Sequence, residues 1–123
     1  MKIDLKPGLH HSKNFHISEH DLASTLQTGD VPYAATPSLI ILMERVICEM
    51  IAGRIPENYT CVSAEINVKH LMPVSAGDEI LCSVHLKFSE ESKLFFDFAI
   101  FNLDDDIIAI GAHERVLVKK DEY

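Results

Sequence analysis

Thr36, Glu44 and His70 are the residues whose types and positions could do chemistry. Glu44 stands inside a long apolar segment, Thr36-Pro-Ser-Leu-Ile-Ile-Leu-Met-Glu-Arg-Val-Ile-Cys-Glu-Met-Ile-Ala-Gly53. On a helix, residues three and four apart share a face. The face neighbours of Glu44 are then Ile40, Ile41, Ile47 and Cys48, all apolar. Arg45 and Glu49 lie four apart on another stripe, where they can pair in water. An ionised carboxylate buried without a partner is costly or shifts its pKa. The sequence therefore expects Glu44 to have a partner, and a carboxylate so placed often has a chemical task.

His70 supplies a candidate partner. Residues 60–71 alternate, with Val62, Ala64, Ile66, Val68 and His70 on one face and Ser63, Glu65, Asn67 and Lys69 on the other. His70 thus extends an apolar strand face that must pack against the helix, and there it can meet Glu44. Thr36 lies eight residues before Glu44, about 12 Å along a helix axis. It is expected as the N-cap, with Pro37 at the first helical position. A helix start offers free N–H groups and the positive end of the dipole to an oxyanion or phosphate.

The elements that must position these residues follow from periodicity. Residues 9–17 read as a first, weakly periodic strand. Ser18 is expected to cap a short helical turn running to Leu26, and 28–32 read as loop. Gly53 closes the long helix. The period then changes to two. Residues 79–89 place Ile80, Cys82, Val84, Leu86 and Phe88 inward, with Ser83, His85 and Lys87 opposite. Residues 93–103 are apolar on both faces except for Asp97 and Asn102, as a central strand would be. A turn at Asp104-Asp105-Asp106 leads to a last strand, 107–119. Short connections imply antiparallel pairing. The expected class is α+β: one domain over residues 1–123, a curved antiparallel sheet wrapped around one long central helix. A flat sandwich with the helix on one face is the alternative.

Composition narrows the functions. The 123 residues carry a formal net charge of −8, and the longest basic run is Lys119-Lys120, which argues against nucleic acid or an anionic membrane as partner. Cys48, Cys61 and Cys82 lack metal-ligand spacing and read as buried free thiols in a reducing compartment. The first residues lack the apolar core of a signal peptide, and the helix is too short and charged to span a bilayer, so a cytoplasmic location is expected. His10, His11, His16 and His20 are irregularly spaced, without supporting Cys or paired carboxylates, and no metal site or cofactor is assigned to them.

The segment Thr36-Pro-Ser-Leu-Ile-Ile-Leu-Met-Glu44-Arg, the strand end Val68-Lys69-His70, the Pro73 and Ala76-Gly77-Asp78 turn and the closing Gly111-Ala-His-Glu-Arg115 match one family in order and spacing. The chain resembles small hotdog-fold thioesterases of the fluoroacetyl-CoA-thioesterase type, over nearly its whole length. The resemblance implies hydrolysis of an acyl-CoA thioester and puts the catalytic set on Thr36, Glu44 and His70. Glu44 would attack the thioester carbonyl or activate water. His70 would exchange protons with water and the leaving thiolate, and Thr36 would orient the carbonyl. The family's lid is aromatic, whereas residues 20–33 contain no phenylalanine. The fluoroacetyl substrate is therefore not carried over, and the large aliphatic residues around Glu44 lead to the expectation of a short or medium acyl group rather than a bulky one. Lys69, His113 and Arg115 are candidates for substrate binding. For His113 and Arg115, a solvated strand face and a contact to CoA phosphates or a second subunit both stay open, and His85 is placed on the solvent face. The family implies a homodimer or higher homo-oligomer with sites near the interface. A non-catalytic binder of an acyl ligand is the alternative function. A hydratase is disfavoured by the lack of an Asp-x-x-x-x-His motif.

Overall fold

Two periods in one chain give two kinds of element. The computed structural model describes residues 5–123. Period-two segments form β1 (His10–His16), β2 (Tyr59–His70), β3 (Glu79–Glu90), β4 (Lys93–Phe101) and β5 (Ile107–Lys119). All pair antiparallel in one sheet of order β1-β3-β4-β5-β2. The apolar segment forms α2 (Thr36–Ile51), preceded by a one-turn 3-10 helix, Glu19–Asp21, and the short α1 (Ala23–Leu26). Ser18 caps the 3-10 turn: its hydroxyl accepts from His20 N at 3.0 Å, and its N–H donates to Asp21 Oδ2 at 2.8 Å. No helix among the described residues is long and apolar enough to cross a membrane.

The core forms where α2 lies on the sheet. Leu39, Met43, Val46 and Ile47 pack against Ile80, Val84 and Leu86 of β3 and Leu94, Phe96 and Ile100 of β4. β4 is the central strand, as its two-faced apolarity predicts. One stripe of α2 stays open: Pro37, Ile41, Arg45, Cys48 and Glu49 are exposed. Cys48 is thus an exposed thiol, contrary to expectation, whereas burial pushes the Cys82 thiol up to about 12. Glu49 does not pair with Arg45. It reaches across to β1, accepting from Lys13 Nζ at 2.6 Å, with His11 Nε2 at 3.4 Å.

Two strand faces depart from simple alternation for one physical reason. A β-bulge inserts a residue and exchanges the faces beyond it. In β2 the register shifts between Ser63 and Glu65. Cys61 and Ser63 therefore lie on the same face as Ile66, Val68 and His70; Ser63, although exposed, has its hydroxyl 3.3 Å from His113 Nε2. In β3 the shift between Leu86 and Phe88 turns Phe88 outward, where it stacks on Phe95 with centroids 4.4 Å apart.

Gly111 marks the tightest approach in the sheet. It stands between Phe98 of β4 and Val68 of β2. A Cβ there would lie 2.1 Å from the Asn67 carbonyl oxygen and 2.9 Å from two atoms of the Phe98 ring. The nearest neighbour is backbone and cannot swing away. Gly111→Ala is expected to lower stability by roughly 1–3 kcal/mol, the range for overpacking. A denaturant titration checks this, and an unshifted midpoint would mean that β2 yields freely.

Candidate functional site

The start of α2 and the end of β2 converge. Ala35, not Thr36, is the N-cap, so Thr36 is the first helical residue and Pro37 the second. Its hydroxyl is thereby free of capping and lies 2.8 Å from His70 Nδ1. His70 Nε2 is buried and makes no hydrogen bond among the described residues. A buried polar nitrogen left unpaired costs about 1–3 kcal/mol, so this atom is ready for a partner.

Thr36 and His70 open on a cavity of about 390 Å³, whose other walls include Ala23, Gly29, Val31, Tyr33, Leu71, Met72 and Pro73. Among the described residues, no Asp, Glu, Lys or Arg lines it. The 22–34 segment forming one wall is pinned in a narrow loop. Ala23 N donates to Tyr33 O at 2.7 Å, Ser24 N to Val31 O at 3.1 Å, and Ala34 N to Val74 O at 2.8 Å. The Asp21 carbonyl accepts from Ala35 N and from the buried Ser38 hydroxyl, which ties the 3-10 turn to the helix start.

Glu44 lies elsewhere. The sequence expectation that it meets His70 is not fulfilled within one chain. Its Oε2 accepts from Arg115 Nη1 at 3.1 Å, and its side chain is 33% exposed. It lines a shallow groove on the open stripe with Ile41, Arg45, Cys48, Glu49 and Ala52. Two of its expected apolar neighbours, Ile41 and Cys48, thus face outward.

The solvated-face reading of His113 and Arg115 is overturned: both are buried, at 2% and 5% exposure. They share the inner face of β5 with Gly111 and Leu117. Neither presents a donor to a phosphate at the surface. Arg115 Nε donates to Cys61 Sγ at 3.0 Å, Nη2 to the Cys61 carbonyl at 3.1 Å, and Nη1 to Glu44 and to His113 Nε2 at 3.2 Å. His113 Nδ1 lies 2.8 Å from the Glu65 carbonyl, an acceptor only. Nδ1 therefore carries the proton and Nε2 accepts, from Arg115 and from the Ser63 hydroxyl at 3.3 Å. Lys69 is exposed on the outer face of β2, and His85 is exposed beside Asp97 at 3.3 Å. The roles of Cys61 and Ser63 escape the sequence reading because the bulge that turns them inward has no local signature. The one available signal for Arg115 was its period-two spacing with Leu117.

Burial holds His113 below the ordinary histidine value, outweighing the Glu65 carbonyl, which favours the charged ring. The unfolded chain then binds this proton more readily than the folded one. Stability should fall as pH drops through about 6.5, and the loss should continue until the folded pKa is passed. His113→Phe should flatten that part of the profile in denaturant titrations. Parallel profiles for the two proteins would place the titration elsewhere.

Comparison with known proteins agrees with this architecture. The profile of the fluoroacetyl-CoA-specific thioesterase family, FlK, matches residues 17–121. A search among curated protein sequences finds no match. Among solved structures, a hot-dog-like protein from Thermanaerovibrio acidaminovorans superposes with TM-score 0.85 at 20% identity, covering 94% of this chain and 84% of its own. A phenylalanine-to-alanine mutant of FlK in complex with fluoroacetate and CoA gives 0.88 at 19%, covering 96% and 98%. A thioesterase superfamily member from Thermus thermophilus gives 0.88 at 18%, covering 99% and 89%. The fold is the hotdog fold, and the chain belongs to the fluoroacetyl-CoA-specific thioesterase family of thioester hydrolases.

Proposed function

We propose that this protein hydrolyses the thioester of a neutral, short or medium acyl-CoA at the Thr36–His70 cavity. The observation that carries the reading is the Thr36 hydroxyl bonded to His70 at the cavity wall, with the second ring nitrogen buried and unpaired. A carbonyl oxygen or water entering there would complete that nitrogen's hydrogen bonding. A charged acyl group would meet no counter-charge in the lining, so its desolvation would go uncompensated. Among the described residues the lining contains Tyr33 and no phenylalanine, which supports an acyl group other than the fluoroacetyl named for the family. The unpaired thiols fit a cytoplasmic setting.

The carboxylate comes from a second copy of the chain. β2 is an edge strand, and edges invite pairing. Residues opposite one another in an antiparallel pair share a face. A two-fold axis through Asn67 sets Val68 against Ile66 and Lys69 against Glu65. Stepping over the bulge at Ala64, it sets Ser63 against the partner subunit's His70. Ser63 stands across from Arg115, which holds Glu44. The same register gives two opposite-charge pairs of Lys69 with Glu65, which assigns Lys69 to the dimer contact rather than to a CoA phosphate. In this arrangement Glu44 attacks the thioester carbonyl or activates water, and His70 returns a proton to the leaving thiolate. Thr36 orients the carbonyl oxygen.

Thiol release from a panel of neutral acyl-CoAs tests the chemistry. Glu44→Gln and His70→Ala should each lower kcat by about 10²–10⁴-fold. Mixing the two inactive variants after dissociation should restore activity, because a mixed dimer keeps one site with both wild-type groups. Full turnover by Glu44→Gln would defeat the mechanism. Inactive mixtures would defeat the shared site.

A further inference from the structure

The guanidinium of Arg115 has acceptors at all three nitrogens, and only one of them is Glu44. Cys61 supplies a sulfur and a carbonyl, both from β2, and His113 supplies a ring nitrogen from two residues earlier on the same strand. His113 is fixed in turn. Its Nδ1–H is committed to the Glu65 carbonyl at the bulge, which forces Nε2 to be an acceptor. Phe96 flanks the ring, with centroids 6.5 Å apart. Donation diverges from Arg115: its Nη1 donates to Glu44 Oε2 and to His113 Nε2, and His113 Nδ1 donates in turn to the Glu65 carbonyl. Each hydrogen bond thus has one fixed sense, and the branch toward the helix ends at the partly exposed Glu44.

We infer that Arg115, oriented by His113, is a positioning residue that fixes the Glu44 carboxylate for reaction. The inference rests on the reading of Glu44 as the working carboxylate. Arg115 donates to Oε2 alone. Oε1 accepts no hydrogen bond among the described residues and is left to face substrate or water. A glutamate on an open helix stripe otherwise samples several rotamers. The planar guanidinium, held at Nε and Nη2 by Cys61, confines it to one. The carboxylate is thereby oriented before substrate arrives, which is worth most in a step that depends on attack geometry.

The test is a double-mutant cycle on the full-length protein, read by steady-state thiol release. Arg115→Gln alone should lower kcat about 100-fold, the scale of an ångström-size misplacement, with KM nearly unchanged. Arg115→Lys keeps the charge but lacks the fork, and should fall between. In a Glu44→Gln background, adding Arg115→Gln should change kcat no further, because its only route to the reaction is already gone. If Arg115→Gln multiplies its full loss onto Glu44→Gln, Arg115 does not act through Glu44 and the inference is overturned. If Glu44→Gln itself turns over normally, the reading of the carboxylate fails instead, so the two failures are distinguishable. Should Arg115→Gln not fold, His113→Phe keeps the ring footprint and removes the acceptor. It should lower kcat about 10-fold, the loss of one hydrogen bond, at constant KM and with a native circular dichroism spectrum. An unchanged kcat in that folded variant overturns the role of His113.

Discussion

A guanidinium sealed into an apolar interior must have acceptors on every side. Stripping one partner from a buried charge costs roughly 3–5 kcal/mol. Arg115 meets this demand with groups drawn from three elements: β5 itself, β2 and α2. The demand explains several features together. The bulge in β2 exists where Cys61 and Ser63 must turn inward without turning His70 outward. Burial, with the neighbouring Arg115 charge adding to it, holds His113 below the ordinary histidine value. Glu44 sits at the boundary of core and solvent, where the Arg115 guanidinium reaches it from the inner face.

The polar chemistry of the chain is consequently divided between two places. At the helix start, Thr36 and His70 form a compact hydrogen-bonded pair beside a cavity with no Asp, Glu, Lys or Arg in its wall among the described residues. Two helical turns on, the carboxylate is anchored over the middle of β2. In the proposed mechanism hydrolysis draws on both, and the edge position of β2 offers a geometric means to combine them. The fold is thus arranged so that a single chain holds all the parts, set apart.

Periodicity made most of the architecture legible. The five strands, the central place of β4 and the capped turn at Ser18 all follow from local pattern and local capping chemistry. Thr36 and His70 were legible as a pair of positions, although their direct contact was not. Glu44 is legible as a carboxylate that needs a partner, and within one chain that partner is Arg115 rather than His70. The inward turn of Cys61 and Ser63 is hidden by the bulge: one inserted residue at Ala64 exchanges the faces of half a strand, and nothing in the composition of residues 61–65 announces it. Phe88 was misplaced by the same device in β3. Arg115 and His113 looked like surface residues because charge is normally a sign of solvent. Only the full three-dimensional set of acceptors makes their burial tolerable.

The two borders of the sheet are unlike each other. β1 carries an exposed lysine and histidines along its length, and Lys13 is fastened to Glu49 of α2. Such a margin resists addition of another strand. β2 is fastened to α2 at its end, where the Thr36 hydroxyl lies 2.8 Å from His70 Nδ1, and no such tie to the helix holds its middle among the described residues. A ribbon that is receptive on one border and refractory on the other cannot propagate. Any growth through backbone pairing terminates at the first addition, so the chain can expose a pairing edge without the hazard of fibres.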